Sequence, residues 1–214
     1  MLYKVLALLA LAASVDANCN SLDLLGVSRC YQNWFASYNV SMTTSLPEYW
    51  NFHTVRRGML DDRGLKVQPF ICDVGNKLIN CLSKYPCVDV NVYMQMNAAN
   101  TTEAGDYWID LAVTKYQCGA GYDIGNQEFY CIAHCRDRYQ ANLDKCSDDM
   151  NTSIMSGTDV CTAEATFLTC QSNIMSKCCD TNAGVYMCNV NVAGINAMSN
   201  LCTTKLSCPA PKLF

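Results

Sequence analysis

The residues of this chain with the clearest capacity for chemistry are its cysteines. The stretch "ICDVGNKLINCLSKYPC", residues 71–87, alone holds three of them. Cysteine thiolates bind metals and attack electrophiles, and paired thiols form disulfides. The chain contains sixteen: Cys19, Cys30, Cys72, Cys81, Cys87, Cys118, Cys131, Cys135, Cys146, Cys161, Cys170, Cys178, Cys179, Cys188, Cys202 and Cys208. An even number at this density is typical of a disulfide framework in an oxidising compartment.

Zinc coordination is the competing interpretation of so many cysteines. Zinc sites combine cysteine and histidine at short spacings such as C-x-x-C. The chain has only two histidines, His53 and His134, and no paired C-x-x-C motif. A catalytic cysteine would need a free thiolate, which an even number of paired cysteines does not leave. We therefore predict disulfides and expect no metal site, no cofactor and no catalytic cysteine.

One segment invites an enzymatic interpretation. "YQCGAGYDIGNQEFYCIAHC", residues 116–135, loosely resembles the calcium loop and C-x-x-H helix of secreted phospholipases. Such an enzyme needs a histidine to deprotonate water, followed by an aspartate that completes the oxygen shell of Ca²⁺. Here His134 is followed by Cys135. We therefore predict a loop followed by a helix with His134 on its surface, no catalytic residues and no enzymatic activity.

The spacing of the cysteines indicates what their disulfides join. Each residue of an α-helix turns the chain by about 100°, so nine residues place Cys72 and Cys81 on opposite faces. Eleven residues of helix separate two side chains by about 16 Å, whereas a disulfide needs Cα atoms within about 7 Å. Cys161 and Cys170 are also nine residues apart, and eleven residues separate Cys19 from Cys30 and Cys135 from Cys146. We expect each of these cysteines to bond to another element, and the partners stay open.

Hydrophobic periodicity predicts the helices that must carry these cysteines. In residues 71–87 an apolar stripe at helical spacing runs from Val74 to Tyr85, and Pro86 ends the helix. Ser45 and Glu48 form a capping-box pattern at the start of another helix. Further helices are predicted over about 21–38, 126–146, 159–178 and 190–204.

Two segments depart from the helical pattern. "CVDVNVYMQM" alternates apolar and polar residues and would suit a short strand, whereas "GAGYDIGN", residues 119–126, is the clearest loop. The fold class predicted is mainly α, a disulfide-stapled helical domain with room for one short strand pair.

A partial repeat is visible in the cysteines. The order C-x10-C then C-x8-C occurs at 19/30/72/81 and again at 135/146/161/170. The segment between the two motifs is long in the first run, at positions 31–71, and short in the second, at positions 147–160. Duplication and a shared geometry of stapled helices both explain the pattern. We favour shared geometry, because the intervening residues do not align.

The beginning of the chain, "MLYKVLALLALAASVDA" at positions 1–17, has the three parts of a secretory signal peptide. Lys4 precedes an apolar run of about nine residues, which is shorter than the roughly 20 that a membrane span needs. We expect a secreted, extracellular protein without a membrane span in its mature chain. The predicted segments are a signal peptide (1–17), a disulfide-rich helical domain (18–188) and a C-terminal extension with Cys202 and Cys208 (189–214).

Charge and sequons limit the partners. The net charge of −4, with 15 basic and 19 acidic residues, argues against nucleic acid and against an anionic membrane surface. N-glycosylation sequons begin at Asn39, Asn100 and Asn151, and they agree with secretion.

Several of these features together resemble a known family. They are "CNSLDLLGVSRC" after the signal peptide, "LPEYWNF", "ICDVGNKLINCLSKYPC", the "YQC" at 116–118 and cysteines that continue to the doublet Cys178-Cys179. The pattern is similar to a large nematode family of secreted cysteine-rich proteins, catalogued as domain of unknown function number nineteen. The resemblance covers roughly residues 19–180. It implies an extracellular, disulfide-bonded, helical domain and no catalytic residues or ligand.

Two functional classes remain open at this point. The first is a non-enzymatic scaffold that binds an extracellular protein through its surface. The second is a carrier of a small hydrophobic ligand such as a lipid, which would need an enclosed apolar cavity. Seven methionines between Met94 and Met198 would suit such a cavity, but filling of the core explains them better. We favour the scaffold.

Overall fold

The structure is a computed structural model that describes residues 19–199, 201–204 and 206–208. The predicted signal peptide lies outside these residues. The regular elements of the described ranges are all helical, which confirms the mainly α fold class. The α-helices are α1 (Ser21–Ala36), α2 (Tyr49–Arg63), α3 (Gln68–Leu82), α4 (Val90–Gln95), α5 (Thr101–Gln117), α6 (Tyr122–Gln127), α7 (Phe129–Met155), α8 (Val160–Cys178) and α9 (Thr181–Met198), with a 3₁₀ turn at Gly64–Val67.

The strand considered for "CVDVNVYMQM" is wrong, because this segment forms α4. Asp89 caps the helix, and its carboxylate accepts a hydrogen bond of 2.8 Å from the backbone N–H of Asn91. Val92 and Tyr93 are both fully buried, although alternation would place them on opposite sides. The N-cap of Asp89 and the burial of both side chains in the core therefore favour a helix despite the alternating pattern.

Two predicted helix starts are also corrected. Helix α2 begins at Tyr49 rather than near Ser45, because the Glu48 carboxylate itself caps it by accepting from the N–H groups of Trp50 and Asn51. Part of the loop predicted at residues 119–126 is the short helix α6. Asn126 lies inside it, and the next helix starts later, at Phe129.

The last helix crosses the segment boundary that we placed between residues 188 and 189. Helix α9 starts earlier than predicted, at Thr181, because the Asp180 carboxylate accepts from the N–H of Ala183 and caps it there. Beyond the helix, the two cysteines of the C-terminal extension are bonded back to α8 and α9. The disulfides therefore tie this extension to the helices that precede it.

All sixteen cysteines are paired, which confirms the disulfide framework. The bonds are Cys19–Cys87, Cys30–Cys81, Cys72–Cys118, Cys131–Cys179, Cys135–Cys178, Cys146–Cys170, Cys161–Cys202 and Cys188–Cys208. None of the four close-spaced pairs closes on itself, as the helical geometry requires. Cys72 and Cys81 reach different segments, so α3 is held on both faces.

The pairing scheme occurs twice along the chain. In the run 19, 30, 72, 81, 87, 118, the first cysteine bonds to the fifth, the second to the fourth and the third to the sixth. The run 135, 146, 161, 170, 178, 202 is bonded in the same order. Shared spacing between stapled helices does not require the same nested order, so this finding favours duplication over the interpretation we preferred from sequence.

The helices of the two runs correspond as well. Helices α1, α3 and α5 form a first unit, and α7, α8 and α9 form a second, with the equivalent helices α5 and α9 packed against each other. Helix α5 contains "TEAGDY" from its second residue, and α9 begins with "TNAGVY". Four buried positions of α3 match buried positions of α8 at a constant offset along the chain: Cys72/Cys161, Val74/Ala163, Leu78/Phe167 and Leu82/Gln171.

Each unit has its own core. Aromatic rings fill the first, where Tyr31, Phe35, Phe52, Tyr93 and Tyr107 are all fully buried. The second unit has two smaller clusters, one of cysteine, methionine and aliphatic side chains with Phe167 and the other around Ile132, Met175 and Tyr186. Among the described helices, none is both long enough and apolar enough to cross a membrane.

Candidate binding surface

Helix α2 is the clearest difference between the two units. It lies with the 3₁₀ turn between α1 and α3, in the long segment that separates Cys30 from Cys72. The equivalent connection in the second unit, between Cys146 and Cys161, is much shorter and holds no additional helix. Because α2 contains no cysteine, it is an addition to the stapled framework rather than part of it.

Helix α2 is anchored through one face, formed by Tyr49, Phe52 and Arg56. Phe52 is 1% exposed and packs against Phe35 and Trp34, with ring centroids 4.9 and 4.6 Å apart. The backbone N–H of Tyr49 donates to the Glu103 carboxylate at 3.0 Å. These contacts dock α2 onto α1 and onto the first turn of α5.

Arg56 forms a buried, bidentate ion pair with Asp110 of α5. Its two Nη atoms donate to the two carboxylate oxygens, one of them at 2.8 Å, and the Tyr49 hydroxyl donates to the same carboxylate at 3.3 Å. The guanidinium also lies over the rings of Trp34 and Phe52. Burial alone would lower the pKa of Arg56, but the adjacent Asp110 charge and its hydrogen bonds raise it.

The opposite face of α2 is open to solvent and carries Trp50. This side chain is 47% exposed, and its ring meets His53 edge-on with centroids 5.3 Å apart. His53 is half-buried, and burial together with the nearby Arg56 charge lowers its pKa. A tryptophan held by a neighbouring ring on a fixed helix is a suitable anchor for a protein partner. We call Trp50, His53 and the exposed Asn51 and Thr54 the α2 outer face.

Trp50 was not predicted to be a functional residue from the sequence. "LPEYWNF" contributed only to the family resemblance, because three aromatic residues in four positions give no indication of which one faces outward. The available signal was the extra length between Cys30 and Cys72 relative to its counterpart in the second run.

An open groove lies at the end of α1, close to the first sequon. Its volume is about 560 Å³, and it is lined by Gln32, Ala36, Asn39, Val40, Ser41, Met42 and Thr43. Asn39 is exposed in a turn with a φ of 57°. Four of the seven lining side chains are polar, so this groove does not have the enclosed apolar lining that a lipid carrier needs.

The asparagines of the other two sequons lie at the start of one helix and inside another. Asn100 is exposed and caps α5, and its Oδ1 accepts from the N–H of Glu103 at 3.0 Å. Asn151 lies inside α7 with a buried Oδ1. Glycosylation stays a prediction at all three sites.

The residues considered for catalysis and metal binding are placed as follows. His134 is exposed on α7, next to Cys135, which is bonded to Cys178. The Sγ atoms of Cys131, Cys135 and Cys179 lie within 4.8 Å of one another. All three belong to disulfides and therefore offer no thiolate to a metal.

Buried carboxyl groups in both units were not anticipated from the sequence. Asp106 on α5 is 3% exposed, and its Oδ1 has no hydrogen-bond partner in the described residues. Burial first, then the nearby carboxylates of Glu103, Glu48 and Asp110, raises its pKa to about 7. In the second unit, burial and Asp159 raise the pKa of Glu164 to about 7.

The raised pKa of Asp106 predicts a pH dependence of stability. Between about pH 4 and 7 the folded protein keeps the Asp106 proton that the unfolded chain releases, so the free energy of unfolding falls as pH rises. Asp106→Asn removes the charge that forms at high pH. We expect its denaturation midpoint to equal that of the wild type near pH 4 and to exceed it near pH 8. A difference between the two proteins that is constant from pH 4 to 8 would contradict this account.

Comparisons of the chain with protein-family models, with curated proteins and with solved structures found no match.

Proposed function

We propose that this protein is a secreted, non-enzymatic scaffold that binds an extracellular protein through the α2 outer face. Eight disulfides, each joining separate segments of the chain, suit a domain that must keep its shape outside the cell. The predicted signal peptide and the resemblance to secreted nematode proteins agree with this location. The resemblance is itself part of the proposal.

The main support for this proposal is helix α2, which has no counterpart among the described helices of the second unit. A duplicated framework needs no such insertion to close its disulfides, since the second unit connects the equivalent helices through the short segment between Cys146 and Cys161. Yet the insertion is held firmly, by Phe52 in the aromatic core and by the buried ion pair of Arg56. A rigidly held helix that leaves a tryptophan half-exposed loses little side-chain entropy on binding, which favours affinity.

The shape of the surface favours a protein partner over a small ligand. The α2 outer face is the side of a helix, and the groove at the end of α1 is open and lined by both polar and apolar side chains. Small hydrophobic ligands are bound in concave sites that cover most of their surface. A helix side with a central aromatic residue and polar neighbours resembles the core and rim of a protein interface instead.

The first experiment is to purify the protein from its native source under non-denaturing conditions and to measure its mass intact. We expect a complex with a second protein. A retained small hydrophobic molecule without any protein would contradict the scaffold and favour the carrier.

The second experiment places the interface on α2. Trp50→Ala should weaken the complex by roughly 30-fold or more, because tryptophan anchors at interfaces contribute about 2 kcal/mol or more. Met155→Ala is the matched control, since Met155 is 76% exposed at the end of α7. Both variants should keep the unfolding midpoint of the wild type. Equal affinities of the two variants for the partner would show that α2 is not part of the interface.

A further inference from the structure

Cys131, Cys135, Cys178 and Cys179 form a four-sulfur cluster that joins α7 to the end of α8. Cys131 is bonded to Cys179 and Cys135 to Cys178. The unbonded sulfurs are also close: Cys135 Sγ lies 3.2 Å from Cys179 Sγ and 3.9 Å from Cys131 Sγ. Cys179 Sγ therefore lies against a sulfur of α7 other than its own partner, and Cys131 Sγ lies 4.0 Å from the backbone oxygen of Cys178.

We propose that the four-sulfur cluster is a thiol–disulfide exchange site, at which a small monothiol interconverts the observed pairing with Cys131–Cys178 and Cys135–Cys179. Disulfides exchange when a thiolate attacks one sulfur and displaces the other. The exchange requires three such attacks, and the second of them joins atoms already in contact.

The steps balance without an oxidant or a reductant. The monothiolate attacks Cys131 Sγ, forms a mixed disulfide there and releases Cys179 as a thiolate. Cys179 then attacks Cys135 Sγ, forms the Cys135–Cys179 bond and releases the thiolate of Cys178. Cys178 attacks Cys131 Sγ, forms the Cys131–Cys178 bond and releases the monothiolate. Two disulfides and one thiolate are present before and after.

The second unit has one more disulfide at this junction than the first unit has at the equivalent place. The equivalent junction in the first unit is closed by one disulfide, Cys19–Cys87. In the second unit Cys135–Cys178 does the same, so Cys131 and Cys179 add a second bond between the same two helices. Because loop closure has been achieved by the first bond, the second restricts the unfolded chain little further.

The solvent exposure of the four cysteines is compatible with the proposed order of the attacks. Cys131, Cys178 and Cys179 are half-buried and can be reached from solvent, whereas Cys135 is fully buried. An external thiol can therefore reach Cys131, as the first attack requires. The buried sulfur is reached from inside the cluster, by its neighbour Cys179.

The test uses Cys178→Ser, which leaves Cys131–Cys179 intact and Cys135 as a free thiol in contact with Cys179. Attack by Cys135 would form Cys135–Cys179 and free Cys131. The folded variant is quenched in acid, denatured and alkylated, and fragmentation of the peptide 116–136 locates the label. We expect at least roughly a tenth of the label on Cys131, which corresponds to pairings within about 1.4 kcal/mol of each other.

Cys19→Ser is the matched control, since it frees Cys87 at the junction that has a single disulfide. Its label should stay on Cys87. Label confined to Cys135 in Cys178→Ser would overturn the proposal. If Cys178→Ser is not secreted, the wild type is incubated with trace glutathione, and fragmentation between residues 178 and 179 assigns the pairing. Two pairings support the exchange site, and a single pairing overturns it.

Discussion

Asp110→Ala should lower the free energy of unfolding by about 3–5 kcal/mol, because it leaves the buried guanidinium of Arg56 without its partner. The side chains of Arg56 and Asp110 are only 13% and 8% exposed, so little water reaches the guanidinium to replace the lost carboxylate. The cost is large relative to the total stability of a domain, which is about 5–15 kcal/mol. Denaturant unfolding with the disulfides intact measures it.

Two variants isolate the buried pair as the cause. Asp73→Ala breaks the exposed pair of Asp73 with Lys77, and exposed pairs contribute only about 0–1 kcal/mol. Arg56→Met combined with Asp110→Leu removes both charges and should recover much of the stability lost in Asp110→Ala. A loss in Asp110→Ala no greater than in Asp73→Ala would show that the pair does not anchor α2.

Cys81→Ala should be retained in the secretory pathway rather than secreted as a slightly weaker protein. The Cys30–Cys81 bond closes a sequence separation of 51 residues, and chain entropy predicts a contribution of about 4 kcal/mol for such a loop. The variant also leaves the thiol of Cys30 free to bond with other cysteines during folding. The ratio of secreted to cell-retained protein measures the effect.

Cys30→Ala combined with Cys81→Ala distinguishes lost stability from mispairing. The double variant loses the same bond but has no unpaired thiol. We expect more of it to be secreted than of Cys81→Ala, with a lower unfolding midpoint than the wild type. Secretion of Cys81→Ala at the wild-type level would show that the α1–α3 bond is dispensable.

Sequence alone was sufficient for those features that depend on local geometry. The opposite faces of Cys72 and Cys81 follow from the angle per residue in a helix, and their bonds to different segments confirm the prediction. The choice of partners was not predictable, because it depends on how helices far apart in sequence pack. The strand considered at residues 87–96 failed for the same reason, since the core buries both Val92 and Tyr93.

The candidate site depended still more on tertiary structure. Tyr49, Phe52 and Arg56 form the inward face of α2, and an arginine on that face contradicts the usual pattern of buried residues. Only Asp110, far along the chain on α5, makes its burial favourable. Once Arg56 is turned inward, Trp50 is turned toward solvent, so its exposure follows from a partner that periodicity does not reveal.

The two units of this helical scaffold have disulfides in the same nested order. Peptide mapping of the non-reduced protein measures this pairing. We expect Cys72 to be linked to Cys118 and Cys81 to Cys30, and in the second unit Cys161 to Cys202 and Cys170 to Cys146. A Cys72–Cys81 or Cys161–Cys170 link would contradict it, because neither can form across a continuous helix.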